Sequence, residues 1–380
     1  MRGGSLTRRA ACLAALAFAL SAAAQRPAAV FPGKDWERIR DPESVGFSRS
    51  RLEVLRSYLR TLDTTAMMVV VGGRVLFEYG DLAHLSYLAS VRKSVLAMLY
   101  GNYVASGKIP LNRTLRELGF TDLQGLLPIE QEATIEHLLT ARSGIYHPAS
   151  NPGDHTAMAP PRGSQKPGTY FLYNNWDFNA AGAIFEKLTG RDIYDALETD
   201  LARPIGMQDF DRSRQKKAGD LKRSRYPAYH MWLSTRDMAR LGYLMLREGN
   251  WAGRQVIPRE WARKIVSLVT PVAELNPLAQ RQNAYGSGQL WGYGYMWWVW
   301  DAPGQRGPMA GAYTGMGAYG QYITVLPALD MVVAHKTDPE QPRAGGSGGA
   351  AQAQPRAVSG TEYFTALQLL IAAHCGDRCR

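Results

Sequence analysis

The chain has 380 residues, 46% of them hydrophobic and 20% charged, a balance that excludes a disordered or collagen-like chain and fits a soluble globular one. Three cysteines are too few for a disulfide scaffold, and no Cys/His cluster or His-Glu-x-x-His stands at metal-ligand spacing, so neither metal nor cofactor is expected. The formal charge of +11 accompanies no nucleic-acid-binding module, so nucleic acid is excluded as the expected partner.

Residues 1–24 carry Arg2, Arg8 and Arg9, then the apolar run Ala10 to Leu20, then Ala22-Ala23-Ala24 before Gln25. This is the pattern of a secretory signal peptide with a small-residue cleavage site, too short to remain as a span, so the expected location is secreted or periplasmic. Its removal leaves Cys375 and Cys379, which in an oxidising compartment either close a small C-terminal loop or stay as free thiols. No later stretch reaches 18 uninterrupted apolar residues, so no membrane span is expected. Pro27, Pro32 and Pro42 mark an extended arm.

Ser50-x-x-Glu53 reads as a capping box opening a helix to about Leu62, with Leu52, Leu55, Tyr58 and Leu59 on one face. Thr65 to Val71 and Arg74 to Tyr79 are β-rich runs that Gly72-Gly73 joins into a hairpin. Next stands Ser90-Val91-Arg92-Lys93, followed by apolar helix formers to Tyr100. The run predicts a buried helix with Ser90 in its first turn and an end at Gly101 or Gly107. Side chains three apart share a helix face, so the Ser90 hydroxyl and the Lys93 amine can meet. A serine hydroxyl becomes a nucleophile when a neighbouring base takes its proton, and a buried amine near other cations can be that base. The helix N-terminus adds free N–H groups where an oxyanion would form. The plain alternative is an N-cap serine and a solvated lysine.

From 108 to 280 the pattern is mostly helical. Thr134 to Leu139 opens a short helix ending near Gly144, and Phe178 to Leu188 is amphipathic and closed by Gly190. Ser234-x-x-Asp237 caps a helix through Arg247, and Pro258 starts another through Leu268. Tyr173-Asn174-Asn175 falls where an extended segment meets a helix start, with Asn174 or Asn175 as N-cap. A tyrosine beside a lysine amine is expected to titrate below its usual value and share the serine's proton. An Asn amide there can donate toward the lysine and a substrate carbonyl; the alternative is a core tyrosine behind a helix cap. His147 reads as a structural histidine or a lining of the cleft mouth. The basic run Arg212 to Arg225 reads as a solvated loop, or as a weak attraction to anionic cell-envelope polymers.

Gly294 to Trp300, Gln321 to Leu326 and Met331 to His335 are strand-like, with Pro327 to Asp330 as a turn, and Thr361 to Ala373 reads as a closing helix. Trp297, Trp298 and Trp300 are read as strand core, with an aromatic substrate wall as the second reading. Strands at both ends around a helical middle predict an α/β (α+β) fold, an antiparallel sheet flanked by helices with an inserted helical lobe. The expected parts are an α/β lobe from 25–107 and 281–380, interrupted by a helical lobe at 108–280. Two pattern matches are rejected. Gly315-x-Gly317-x-x-Gly320 precedes a strand where a dinucleotide fingerprint needs a helix, and Gly345-x-Ser347-x-Gly349 lies in the low-complexity stretch Gly345 to Ala357.

Taken in order, Ser90-Val91-Arg92-Lys93, Thr134 to Gly144, Tyr173-Asn174-Asn175, Pro204-Ile205-Gly206-Met207 and Leu233-Ser234-Thr235-Arg236-Asp237 resemble the serine β-lactamase and penicillin-recognising superfamily. The branch is the one holding class C β-lactamases, D-alanyl-D-alanine carboxypeptidases, related esterases and 6-aminohexanoate-dimer hydrolases. The resemblance implies a β-lactamase-like fold with Ser90 as nucleophile, Lys93 as base partner, Tyr173 as proton shuttle and Asn175 holding the network. The family's third motif, Lys-Thr-Gly or His-Thr-Gly on an edge strand facing the nucleophile, is where this chain departs. One register places Gly315-Met316-Gly317 there and another Ala312-Tyr313-Thr314, neither with a cation. In β-lactam-processing relatives that cation helps hold the substrate carboxylate, so a small ester or linear amide is the expected substrate. The backbone near Ala318 is expected to supply the second oxyanion N–H beside that of Ser90. A β-lactamase or D,D-peptidase is the second reading, and a non-catalytic envelope-binding or scaffold protein of the same fold the third.

Overall fold

The computed structural model describes residues 29–341 and 355–379, so the leader expected over 1–24 and most of the low-complexity stretch lie outside the described residues. The first elements are α1 (Arg49–Leu59), β1 (Ala66–Val71), β2 (Arg74–Gly80), β3 (Ser86–Tyr87) and α2 (Val91–Ala105). The middle holds α3 (Ile135–Leu139), α4 (Asn175–Thr189), α5 (Ile193–Ala196), β4 (Lys216–Ala218), β5 (Ala228–His230), β6 (Trp232–Leu233) and α6 (Thr235–Leu246). There follow β7 (Asn250–Trp251), β8 (Arg254–Gln255), α7 (Arg259–Ile265), α8 (Leu278–Ser287) and β9 (Trp291–Tyr293). The chain closes with β10 (Trp298–Trp300), β11 (Tyr313–Gly317), β12 (Gln321–Leu326), β13 (Met331–Lys336) and α9 (Gly360–Ala373).

Seven strands form one antiparallel sheet in the order β2-β1-β13-β12-β11-β10-β9, which brings the two ends of the chain together. Side chains alternate across a strand, and in β1 Met67 and Val69 enter one core while Met68 and Val70 enter the other. The first core is closed by α1 and α9, through Leu55, Leu59, Tyr363 and Leu367. The second is closed by α2 and α6, and β12 and β13 are buried along their whole length because helices cover both faces. Gly242 lets α6 lie close on the sheet, since a Cβ there would stand 2.4 Å from Val332 Cγ1. Thus α6, read as part of the helical middle, packs on β13, β12 and β1.

Several local expectations are corrected. Helix α1 is capped by Ser48, whose side chain accepts from Arg51 N–H, and ends at Leu59. Of the two ends expected for α2, Gly101 lies inside the helix, where a side chain would collide with Trp261 and Ile257, and the helix stops at Ala105, just before Gly107. Gly294 to Trp300 is not one strand: β9 and β10 form a hairpin, closed by Gly294 N–H donating to Trp297 O at 2.8 Å. The basic run is partly strand β4, with Arg212 paired to Asp192 and Asp195, and Lys217 to Glu186 and Asp192. Cys375 and Cys379 are disulfide-bonded, with Cα atoms 5.5 Å apart. Among the described residues no helix is long and apolar enough to cross a membrane.

Candidate active site

Strand β3 delivers the chain to Ser90 through Leu88, fully buried, and Ala89, whose φ of 47° turns the backbone sharply. Ser90 occupies the N-cap position of α2 but makes no capping bond with its side chain, so its half-buried hydroxyl is not spent on the helix. Lys93, one turn on, donates from Nζ to Ser90 Oγ at 2.8 Å and to Tyr173 OH at 2.6 Å. The alcohol, amine and phenol therefore meet from α2 and from the segment just before α4.

Lys93 is 2% exposed, and its amine lies 4.5 Å from the Tyr173 ring centre and 4.8 Å from that of Phe178. Burial is the main cause that holds its pKa well below the ordinary lysine value. The Arg92 cation adds to this and Asp154 opposes it. Arg92 is itself buried, stacked over Tyr229 and donating to Asn179 Oδ1 at 3.2 Å. Tyr173 is not lowered as expected. Its phenol is pushed up to about 12, because burial penalises the phenolate more than the Ser90 bond and Arg92 favour it.

Asn174 is the N-cap of α4, its Oδ1 accepting from Asp177 N–H at 2.8 Å. Asn175 Nδ2 donates not toward Lys93 but to Pro152 O at 2.9 Å, and its N–H donates to Asp154 Oδ2, also at 2.9 Å. Asn175 thus ties the Pro152–Thr156 loop to the helix start. His155 N–H in turn donates to Tyr173 O at 3.0 Å. Asp154 and His155 were not found from sequence, where they lie in a Pro- and Gly-rich stretch with no periodic signal.

Gly315 and Gly317 lie where β11 passes the start of α2. A Cβ at Gly317 would stand 2.9 Å from Leu88 O and 3.1 Å from Ser90 N, and one at Gly315 2.9 Å from Ser94 Oγ. The register facing Ser90 is therefore Gly315-Met316-Gly317; in the alternative, Ala312 and Tyr313 are buried and Thr314 bonds to Thr324 inside the sheet. Strand β11 lies between β12 and β10, not at an edge. Ala318 follows Gly317 in the exposed turn to β12.

Other candidates fall elsewhere. His147 is buried against Trp176, 3.5 Å from Glu130, as a structural histidine. Trp298 stacks on Tyr173 with ring centres 5.9 Å apart, whereas Trp297 packs on Tyr313 and Trp300 on Trp291. Before Ser90, Tyr87 OH lies 2.9 Å from His230 Nδ1. His230 is pushed down to about 4 by burial and then by Arg92, which favours the neutral imidazole in this pair. A cavity of about 580 Å³ lined by Trp36, Arg38, Arg56, Glu78 and Arg236 includes none of the Ser90 group. Among the described residues no group of three or more His, Cys, Asp or Glu could hold a metal ion.

The antiparallel sheet between helical layers, with a buried Ser-x-x-Lys facing a tyrosine, defines the β-lactamase-like fold of serine hydrolases. The chain belongs to the beta-lactamase family, whose model matches residues 55–352. It is 24% identical over 331 residues to a 6-aminohexanoate-dimer hydrolase of Paenarthrobacter ureafaciens, covering 77% of this chain and 79% of that one. A Bacillus anthracis structure described as a candidate 6-aminohexanoate-dimer hydrolase superposes with a TM-score of 0.61 at 20% identity, over 91% of this chain and 88% of its own. A class C beta-lactamase superposes with a TM-score of 0.57 at 14% identity, over 88% of this chain and 98% of its own.

Proposed function

We propose that this protein is an exported serine hydrolase that cleaves a small ester or linear amide through an acyl-enzyme on Ser90. The observation that carries the reading is the position of one desolvated amine, Lys93 Nζ, within 2.8 Å of an alcohol and 2.6 Å of a phenol. In its neutral form the amine takes the proton as Ser90 Oγ attacks the carbonyl. Tyr173, neutral at physiological pH, donates its proton to the leaving oxygen or nitrogen and is reprotonated through Lys93. The N–H groups of Ser90 and Ala318 hold the oxyanion, and water then attacks the ester carbonyl to release the acid and restore Ser90.

The substrate class is supported by Gly315-Met316-Gly317, which brings no cation to Ser90 for a substrate carboxylate, and by the likeness to the Paenarthrobacter relative named a 6-aminohexanoate-dimer hydrolase. Export is supported by the leader pattern of residues 1–24. Exposed Lys222, Arg223 and Arg225 support a weak contact with anionic envelope polymers. The test is labelling with a fluorophosphonate probe together with a panel of p-nitrophenyl esters, linear amides, D-amino-acid peptides and nitrocefin. Label lost in Ser90→Ala and turnover of esters or linear amides are expected. Nitrocefin or D-peptide turnover above both would favour a β-lactamase or D,D-peptidase, and no label at all a non-catalytic scaffold.

A further inference from the structure

Lys336, on the interior strand β13, is 1% exposed and has no part in the proton path described above. Its Nζ donates to Ser86 O and to Leu233 O, each at 2.7 Å. Those carbonyls belong to β3 and β6, which pair with each other in a small sheet separate from the seven-stranded one. The amine therefore bonds the large sheet directly to the short strand that ends three residues before Ser90. A methionine would fill similar space without the desolvation of a cation, so the volume alone does not call for an amine.

The sheet register shows what the bond fixes. Gly317 pairs with Gln321, and Tyr322 pairs with His335, so Gly317, Gln321 and Lys336 form a row across β11, β12 and β13. Directly paired residues of antiparallel strands point to one face. On that face Gly317 meets Leu88 O and Ser90 N, and Lys336 meets Ser86 O. Gln321 Nε2 donates to Thr337 O at 2.5 Å. The segment Ser86–Ser90 is thus held on the row at two points: a close backbone approach at Gly317 and a pair of hydrogen bonds at Lys336. Between them Ala89 carries its positive φ, a conformation that persists only where its surroundings hold it.

We infer that Lys336 is a positioning residue: its amine seats Ser86–Ala89 on the sheet and thereby sets Ser90 Oγ at the right depth between Lys93 and the β11 strand. This rests on the reading of Ser90 as nucleophile. Small displacements of a nucleophile cost catalysis far more than they cost ligand binding, so the signature is a loss in kcat with KM nearly unchanged. Burial holds the amine down to about 7, while Asp338, bonded to His84, and Glu340 oppose the fall. His335, the adjacent titratable group, points to the other face, where it bonds to Gly320 O and Thr64.

The test compares full-length wild type, Lys336→Met and Lys336→Arg, with Ser90→Ala as control. Fluorophosphonate labelling rates and p-nitrophenyl ester kinetics are measured, and folding is followed by near-UV circular dichroism. The expected result is a folded Lys336→Met whose labelling rate and kcat fall at least about tenfold with KM within about twofold, and a Lys336→Arg within about threefold of wild type. A folded Lys336→Met as fast as wild type overturns the assignment. If Lys336→Met does not fold, Lys336→Gln is set against Lys336→Arg. Gln slower by about tenfold at equal KM supports the role, and equal rates overturn it. Wild type that takes no label, or label that survives in Ser90→Ala, overturns Ser90 as nucleophile and this inference with it. That pattern is distinct from a labelled wild type matched by every Lys336 variant.

Discussion

Asn175 N–H donates to Asp154 Oδ2 at 2.9 Å, so the helix that begins two residues after Tyr173 fixes a carboxylate in the loop beside it. That carboxylate favours the protonated form of Lys93 and opposes the burial that drives the amine toward neutrality. Asp154→Asn is therefore expected to lower the Lys93 pKa further. Protonated Lys93 cannot accept the serine proton, so the acid limb of the kcat/KM profile moves to lower pH and the variant gains activity at acid pH relative to neutral. The profile is measured with a p-nitrophenyl ester; a limb that moves upward would count against the assignment.

Lys93→Arg places a permanently charged guanidinium where a titrating amine stood. Turnover is expected to fall by about a thousandfold or more, with the fold retained in near-UV circular dichroism. Tyr173→Phe removes a phenol that is neutral at physiological pH, since its pKa is pushed up to about 12. The expected loss in kcat is about a hundredfold, larger for poor leaving groups than for p-nitrophenol, which needs little protonation. Equal losses for alkyl and nitrophenyl esters would remove Tyr173 from the leaving-group step.

Gly317→Ala and Gly315→Ala separate backbone crowding from side-chain crowding. At Gly317 the new methyl meets backbone atoms Leu88 O and Ser90 N, which move only by displacing Ser90. At Gly315 its nearest neighbour is Ser94 Oγ, a side-chain atom. The first is expected to lose about tenfold or more in kcat and the second less than about threefold, compared on one ester under saturating substrate. The reverse order would place the functional register elsewhere on β11.

Asp177 is buried, accepts from Ser143 Oγ at 2.6 Å, and is pushed up to about 8 by burial. A folded-state pKa above the unfolded carboxylate value of about 3.9 means that the native state holds a proton the unfolded chain has lost. Stability from this group is complete below about pH 4 and is lost as pH rises through about 8. Asp177→Asn keeps an oxygen for Ser143 and cannot ionise. Thermal unfolding across this range is expected to show the variant gaining on wild type as pH rises. Parallel curves would show that Asp177 is ionised in the native protein.

How much of this was legible in the chain depends on the range of the signal. The hairpin at Gly72-Gly73, the caps at Thr134 and Ser234, and the end of α4 at Gly190 all follow from neighbours a few residues apart, and all stand in the structure. Ser90 and Lys93 share a helix face for the same local reason. The single strand expected over Gly294 to Trp300 failed because an aromatic run does not disclose a turn, and the structure folds it back at Met296, where φ is 60°. Asp154, His230 and Lys336 gave no local signal because what matters about them is the company they keep across long separations.

The order of residues by itself determined which groups could do chemistry: a Ser-x-x-Lys on an apolar helix, a Tyr-x-Asn at a helix start, and a glycine-rich strand without a cation. Only the tertiary structure decided their state. Whether an amine is charged, which way a phenol is pushed and what an amide side chain holds are set by burial and by partners distant along the chain. Those are properties of the packed interior, and local sequence patterning does not encode them.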